Sequence, residues 1–280
     1  MKPGKRILLS LIRAKFKLLS AISKKKAAAE AFTLFCTPPS RDRKPLPGIF
    51  KDSEKLQFPF LGYRIAGYRW NKGGKRRVLI CHGFESSATN FAAYVEPLVI
   101  KGYEVLMFDA PAHGRSSGRT INVIIYRDLI KYVHEKFGPV NCFMGHSFGG
   151  LASCLALAEL EHTHDTKLAL VAPASRTETA IDQFFSLLQL SKAVRVEFEN
   201  LVRQISGYPV SWFEVRRAMQ SIHAKVLWFH DAGDQVTPLS DARLVEEVQH
   251  PPLRFVITEG LGHSRIYRDP AVISAIADFF

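Results

Sequence analysis

The stretch FMGHSFGG, residues 143–150, sets Ser147 between small residues directly after an apolar run. A tight turn forces the residue at its tip into strained backbone geometry. The positions two away on either side must be small if a strand and a helix are to approach each other there. Gly145 and Gly149 meet that requirement. The flanks, VNCFM before and GGLASCLAL after, have the apolar character of a buried strand and a core helix. A Gly-x-Ser-x-Gly arises by chance in such a chain with a probability on the order of 0.1, so the strand–turn–helix setting carries the weight. In that setting Ser147 sits at a helix N-terminus, where backbone N–H groups and the dipole favour developing negative charge.

Outward from this turn the chain alternates. Strands are expected in RRVLICHG (76–83), YEVLMFDA (103–110), PVNCFMGHS (139–147), TKLALVAP (166–173), HAKVLWFHD (223–231) and LRFVITEG (253–260). Helices are expected in 90–102, 120–138, 149–161, 240–250 and 269–280. A hairpin of LQFPF (56–60) and YRIAGYRW (63–70) precedes them. The pattern predicts an α/β fold: a mostly parallel eight-stranded sheet with helices on both faces, over residues 55–280. Residues 175–221 break the rhythm with IDQFFSLLQL and VRVEFENLVRQI, both helix-like and rich in Phe and Leu. An insertion of that length predicts a helical cap. Residues 1–54 form a basic amphipathic helical leader and a proline-rich linker.

The net charge of +12 resides mainly in that leader: residues 1–30 carry +8 of it. The body is close to balanced and lacks interleaved aromatic platforms, which argues against a nucleic-acid partner. In the leader Ile7, Leu11, Ala14, Leu18 and Ile22 make one stripe, with Leu8, Ile12 and Leu19 beside it. Such a helix can pack on the body, lie on an anionic membrane surface or act as an organelle address. No stretch approaches the ~20 apolar residues of a membrane span. Cys36, Cys81, Cys142 and Cys154 fit neither a disulfide framework nor a zinc pattern, and read as buried reduced thiols. Neither a metal nor a cofactor is expected. Together these features suggest a cytoplasmic protein, peripheral on the inner face of a membrane if the leader binds there.

A serine hydroxyl needs a base to become a nucleophile. Of ten histidines, His263 alone follows a strand (LRFVITE) through a glycine turn and precedes the last helix. His162, His164, His134, His223 and His250 read as surface, and His146, next to the serine, points its ring elsewhere. The orienting acid lies in LWFHDAGDQVTP, where Asp234 is preferred and Asp231 is the fallback. Ser147, Asp234, His263 is the chain order expected of this constellation. Two backbone N–H groups would complete an oxyanion hole: Phe148, after the serine, and Phe84, in LICHGFESS.

HGF, FDAPAHGRSSG, GHSFGG, HDAGDQVTP and GLGHS, in that order, make the body resemble the α/β-hydrolase superfamily over roughly residues 55–280. The resemblance implies structural roles for Asp109, His113, Gly114 and Ser116. Ala112 stands where glycine is common. Members that open epoxides or displace halide carry Asp at the nucleophile, so Ser147 argues against both. Ester, thioester or amide hydrolysis through an acyl-enzyme remains. The first choice is a serine hydrolase of carboxylesterase or lysophospholipase-like type, cleaving an ester or thioester of a small to medium apolar acyl group. Phe184, Phe185 and Leu188 of the insertion are candidate substrate contacts, with packing of the insertion as the competing account. An acyltransferase or lyase on the same triad, and a non-catalytic ligand-binding protein, are the alternatives. Oligomeric state stays open.

Overall fold

The structure is a computed structural model describing residues 3–41, 45–246 and 253–280. Two compact units emerge: a helical one from Met1–Thr37 with Arg176–Phe213, and a sheet unit from Pro38–Ser175 with Glu214–Phe280.

In the sheet unit, β1 (Glu54–Phe60) and β2 (Tyr63–Trp70) form the expected hairpin. Its turn residues, Leu61 and Gly62, both adopt positive φ, 45° and 78°, the conformation a two-residue hairpin loop needs. Then come β3 (Arg76–Cys81), β4 (Tyr103–Phe108), β5 (Cys142–His146), β6 (Lys167–Val171), β7 (Lys225–Asp231) and β8 (Leu253–Thr258). The sheet order is β1-β2-β4-β3-β5-β6-β7-β8, antiparallel at β1, β2 and β4 and parallel from β4 onward. Every residue of β4 and β5 is buried, as a strand covered on both faces requires. The eight strands and their parallel majority match the sequence expectation.

Residues 38–54 do more than link. A short 3₁₀ turn, Gly48–Asp52, seats Phe50 edge-on against Tyr68 and Trp70, with centroids 4.7 and 4.9 Å away. Phe50 is fully buried and belongs to the sheet unit's core.

The helical unit comprises α1 (Pro3–Ile22), α2 (Lys24–Phe35), a helix over Thr177–Leu188 and another over Lys192–Ser206. Leader and insertion thus build one body, where the sequence suggested a separate leader and a cap. Ala27, Ala28 and Ala31, all at most 1% exposed, give α2 a small-residue face that lets the 192–206 helix come close. Phe16, Phe185, Leu188, Val194 and Phe198 fill the core between. The insertion also ends earlier than expected: residues 214–221, including the helix Val215–Met219, belong with the sheet. His250 and the end of the 240–250 helix lie outside the described residues.

All four cysteines are free and buried. Burial pushes the Cys36 and Cys81 thiols up to about 12 and Cys142 to about 11. No helix among the described residues is long and apolar enough to cross a membrane.

Candidate active site

The site gathers at the carboxyl ends of β3, β5, β7 and β8. Open parallel sheets leave their crevice there. Ser147 follows β5 and stands at the N-terminus of the helix Phe148–Leu157, where its side chain makes no capping hydrogen bond. Its φ of 53° and ψ of −122° place it in backbone that a non-glycine residue rarely holds. The turn survives because its neighbours are small. A Cβ on Gly149 would stand 2.4 Å from the Cys81 carbonyl oxygen and 2.5 Å from that of His82. Any larger residue there would push the helix off β3.

His263 lies in a single helical turn, Gly262–Arg265, after β8. Its Nε2 is 3.0 Å from Ser147 Oγ and its Nδ1 is 2.7 Å from Asp234 Oδ2. Asp234 is held in turn. Oδ1 accepts the N–H groups of Val236 and Thr237 at 2.8 and 3.0 Å, and Oδ2 accepts the Thr237 hydroxyl at 2.9 Å. Burial works against the Asp234 charge. The His263 contact and these N–H donors outweigh it and hold the carboxyl down to about 2. Asp234 is therefore ionised, Nδ1 of His263 carries its proton toward it, and Nε2 is left to accept from the serine.

Asp231, the fallback acid, serves elsewhere. Oδ2 accepts the Thr258 hydroxyl and the Leu261 N–H, both at 2.9 Å, and Oδ1 accepts the Gly233 N–H at 3.0 Å. It ties the end of β7 to the turn that carries His263.

The Phe84 and Phe148 amides flank the serine. Gly83 brings the β3 loop so close that a Cβ there would be 3.1 Å from Ser147 Cβ. The Phe84 and Phe148 rings then meet edge to face at 5.6 Å, tying the two N–H-bearing segments together. Phe148 opens its helix, so its N–H has no intrahelical acceptor. No hydrogen-bond acceptor is found for either amide among the described residues.

Behind this layer Asp109 organises the FDAPAHGRSSG loop. It is fully buried and accepts the Ala88 and Arg115 N–H groups at 2.9 and 2.8 Å. Ser116 Oγ donates to the Asp109 carbonyl at 2.5 Å. Ala112, at φ 68°, adopts the conformation for which glycine is the easy choice.

Two contributors escape sequence reasoning. One is Thr237, whose hydroxyl braces Asp234; the only signal was a threonine three residues after the acid. The other is His146. Its ring does turn away from the serine, but packs 4.8 Å from the His263 ring and 4.4 Å from Tyr267. Its Nε2–H donates to the His263 carbonyl at 3.0 Å. Burial, then the neighbouring His263, push its pKa down to about 3, so it stays neutral.

Phe185 and Leu188 are buried in the helical unit's own core, and the partly buried Phe184 packs against it. Phe184 meets Phe35 at 5.3 Å, Phe185 meets Phe198 at 5.3 Å, and Leu188 is 4% exposed. Packing accounts for the apolar character of Phe185 and Leu188, against the expectation that they contact substrate, whereas Phe184 keeps a partly exposed ring. Among the described residues no group of three His, Cys, Asp or Glu side chains could hold a metal.

Comparison with known proteins agrees with this architecture. The model of the family described as "Serine aminopeptidase, S33" matches residues 73–211, a span that contains Ser147 and ends before Asp234. The Bacillus subtilis protein YqkD is 24% identical over 241 residues, covering 78% of this chain and 76% of that one. Among solved structures, the Pyrococcus furiosus esterase Pf2001 superposes with a TM-score of 0.64 at 20% identity, over 86% of this chain and 97% of that one. A membrane phospholipase A, described as a bacterial virulence factor, gives 0.63 at 16% identity, over 98% and 97%.

Proposed function

We propose that the chain, which has the α/β-hydrolase fold, is a serine hydrolase of that superfamily acting on carboxylic esters or thioesters through an acyl-enzyme. The observation that carries this is the unbroken line Asp234–His263–Ser147, with 2.7 and 3.0 Å contacts, on a serine strained at the tip of its turn.

In the proposed mechanism, the substrate carbonyl carbon meets Ser147 Oγ while its oxygen faces the Phe84 and Phe148 N–H groups. Oγ attacks and its proton passes to His263 Nε2. Asp234 stabilises the imidazolium without taking the proton. The negative charge formed on the carbonyl oxygen is met by the two amides and the helix N-terminus. The tetrahedral species collapses, the alcohol or thiol departs with the proton from Nε2, and the acyl group stays on Ser147. Water then attacks with His263 as its base, and the acid and free serine are released.

The half-buried rings of Phe84 and Phe148 border the serine and suit an apolar acyl group of small to medium size. Structural similarity to an esterase and to a membrane phospholipase A favours an ester, including one carried by a lipid, as the first substrate class to examine. The decisive assay is a panel of p-nitrophenyl acetate, butyrate, octanoate and palmitate, lysophosphatidylcholine, an acyl-thioester and an aminoacyl-p-nitroanilide. The expected result is turnover of the butyrate or octanoate ester that vanishes in Ser147→Ala. Turnover of the anilide alone, or of nothing by well-folded protein, would refute the ester assignment.

A further inference from the structure

The first helix is apolar on two opposite faces, and the structure uses only one. At about 100° per residue, Leu9, Ile12, Phe16 and Leu19 share one side. That side packs into the helical unit, where Phe16 is 2% exposed and the other three are partly buried. Ile7, Leu11, Ala14, Leu18 and Ile22 share the opposite side, within an arc of about 80°. The four large side chains of this row are 64, 63, 67 and 69% exposed. Leu8 and Lys15 border it on one edge, and Arg6, Ser10 and Lys17 on the other, all exposed. The stripe that the sequence marks most clearly is thus the one left in solvent.

A row of large aliphatics two-thirds exposed over about four helical turns needs a partner to cover it. The charge around it selects which. The α1 helix contains no acidic residue. Arg6 and Lys17 flank the row, and the exposed Lys24, Lys25 and Lys26 follow at its end. Among the described residues, Lys15 is the one flanking cation with an acidic partner, an ion pair with Glu30. A second copy of the chain would bring a segment of +8 against another of +8. A surface that is apolar beneath and anionic above satisfies both features at once.

We propose that the Ile7–Leu11–Leu18–Ile22 face of α1 is a docking surface for an anionic lipid bilayer. The helix lies in the interface plane, with the aliphatic row among the upper acyl chains and the cations level with the phosphates. Partition rises with anionic lipid and falls with salt. The surface does not depend on the chemistry at Ser147, so it stands or falls separately from the hydrolase reading.

The test is flotation of the full chain with phosphatidylcholine vesicles, with and without one quarter phosphatidylglycerol. The Ser147→Ala background keeps the lipids intact. The protein should float with the anionic vesicles and remain at the bottom with phosphatidylcholine alone. The pair Leu11→Gln and Leu18→Gln, which leaves charge unchanged, should reduce partition about tenfold or more. Circular dichroism melts should match the parent protein, since neither side chain is in the core. A second variant, Lys17→Gln with Lys25→Gln and Lys26→Gln, should lose most of the dependence on anionic lipid. Flotation that ignores lipid charge, or that both variants retain, would overturn the proposal. So would a parent protein that dimerises without floating and becomes monomeric in the leucine variant, because the face would then belong to a second copy.

Discussion

Asp234 and Asp231 are three residues apart, both buried and both rich in hydrogen bonds, yet they should fail differently when neutralised. In Asp234→Asn, the amide oxygen keeps the Val236 and Thr237 N–H groups that Oδ1 now accepts. The NH₂ then stands where Oδ2 was, 2.7 Å from His263 Nδ1. Two donors cannot face each other, so the imidazole must place its proton on Nε2 instead. That nitrogen can no longer accept from Ser147. Loss of the productive tautomer costs a related triad about 10⁴ in kcat, or about 5 kcal/mol of barrier. Stability changes little, because Thr237 Oγ1 can rotate to accept from the new NH₂. In Asp231→Asn the carboxylate loses charge while facing three donors, Thr258, Leu261 and Gly233. At least one is left facing an NH₂, a cost of about 3 kcal/mol, which lowers Tm by about 5–10 °C. Ester hydrolysis and a thermal melt on both variants decide it. A kcat of Asp234→Asn within about tenfold of wild type, or a greater activity loss in Asp231→Asn than in Asp234→Asn, would refute the assignment of roles.

Further outcomes follow from the packing around the site. Gly149→Ala puts a methyl 2.4–2.5 Å from two backbone oxygens that cannot swing aside, so it should cost about 3 kcal/mol or more. Urea unfolding monitored by fluorescence checks this, and a midpoint equal to wild type would contradict it. His113 and His146 are both held down to about 3, in each case first by burial and then by a neighbouring histidine, His82 and His263 respectively. Their folded values lie below the ordinary value near 6.5, so the unfolded chain takes up protons first as pH falls. Stability is full above about pH 6.5 and drains as pH drops toward 3. Between pH 6.5 and 5 the loss is about 2 kcal/mol for each histidine. Denaturation at the two pH values, repeated in His146→Phe, should show the slope reduced by about one proton. An unchanged slope would mean that His146 is not buried neutral.

The sheet was readable because its strands are short apolar runs bounded by glycine, proline and charge, and because buried parallel strands need no alternation. The Ser147 turn was readable for a related reason: backbone crowding leaves a glycine signature that survives in any sequence. Asp234 and His263 followed from their places after strands. Thr237 and His146 did not, since each acts through a contact made only when distant segments meet. The helical unit was harder still. Its boundary depends on Phe35 meeting Phe184 and Phe198, at 5.3 and 5.9 Å, and no periodicity within either segment reveals that pairing. For the same reason Phe185 and Leu188 looked available to substrate. On α1, a wheel with two apolar faces has no intrinsic inside. Packing against α2 and the 177–188 helix chose the Phe16 side, against the side that the stripe suggested.

The whole site turns on Ser147 being an activated nucleophile. The most direct measurement is stoichiometric labelling of purified protein by a fluorophosphonate, read by intact-mass and peptide mass spectrometry. One adduct per chain is expected, located on Ser147, absent in Ser147→Ala and formed far more slowly in His263→Ala and Asp234→Asn. Folded wild-type protein that takes up no label, or an adduct that persists on another residue in Ser147→Ala, would contradict it.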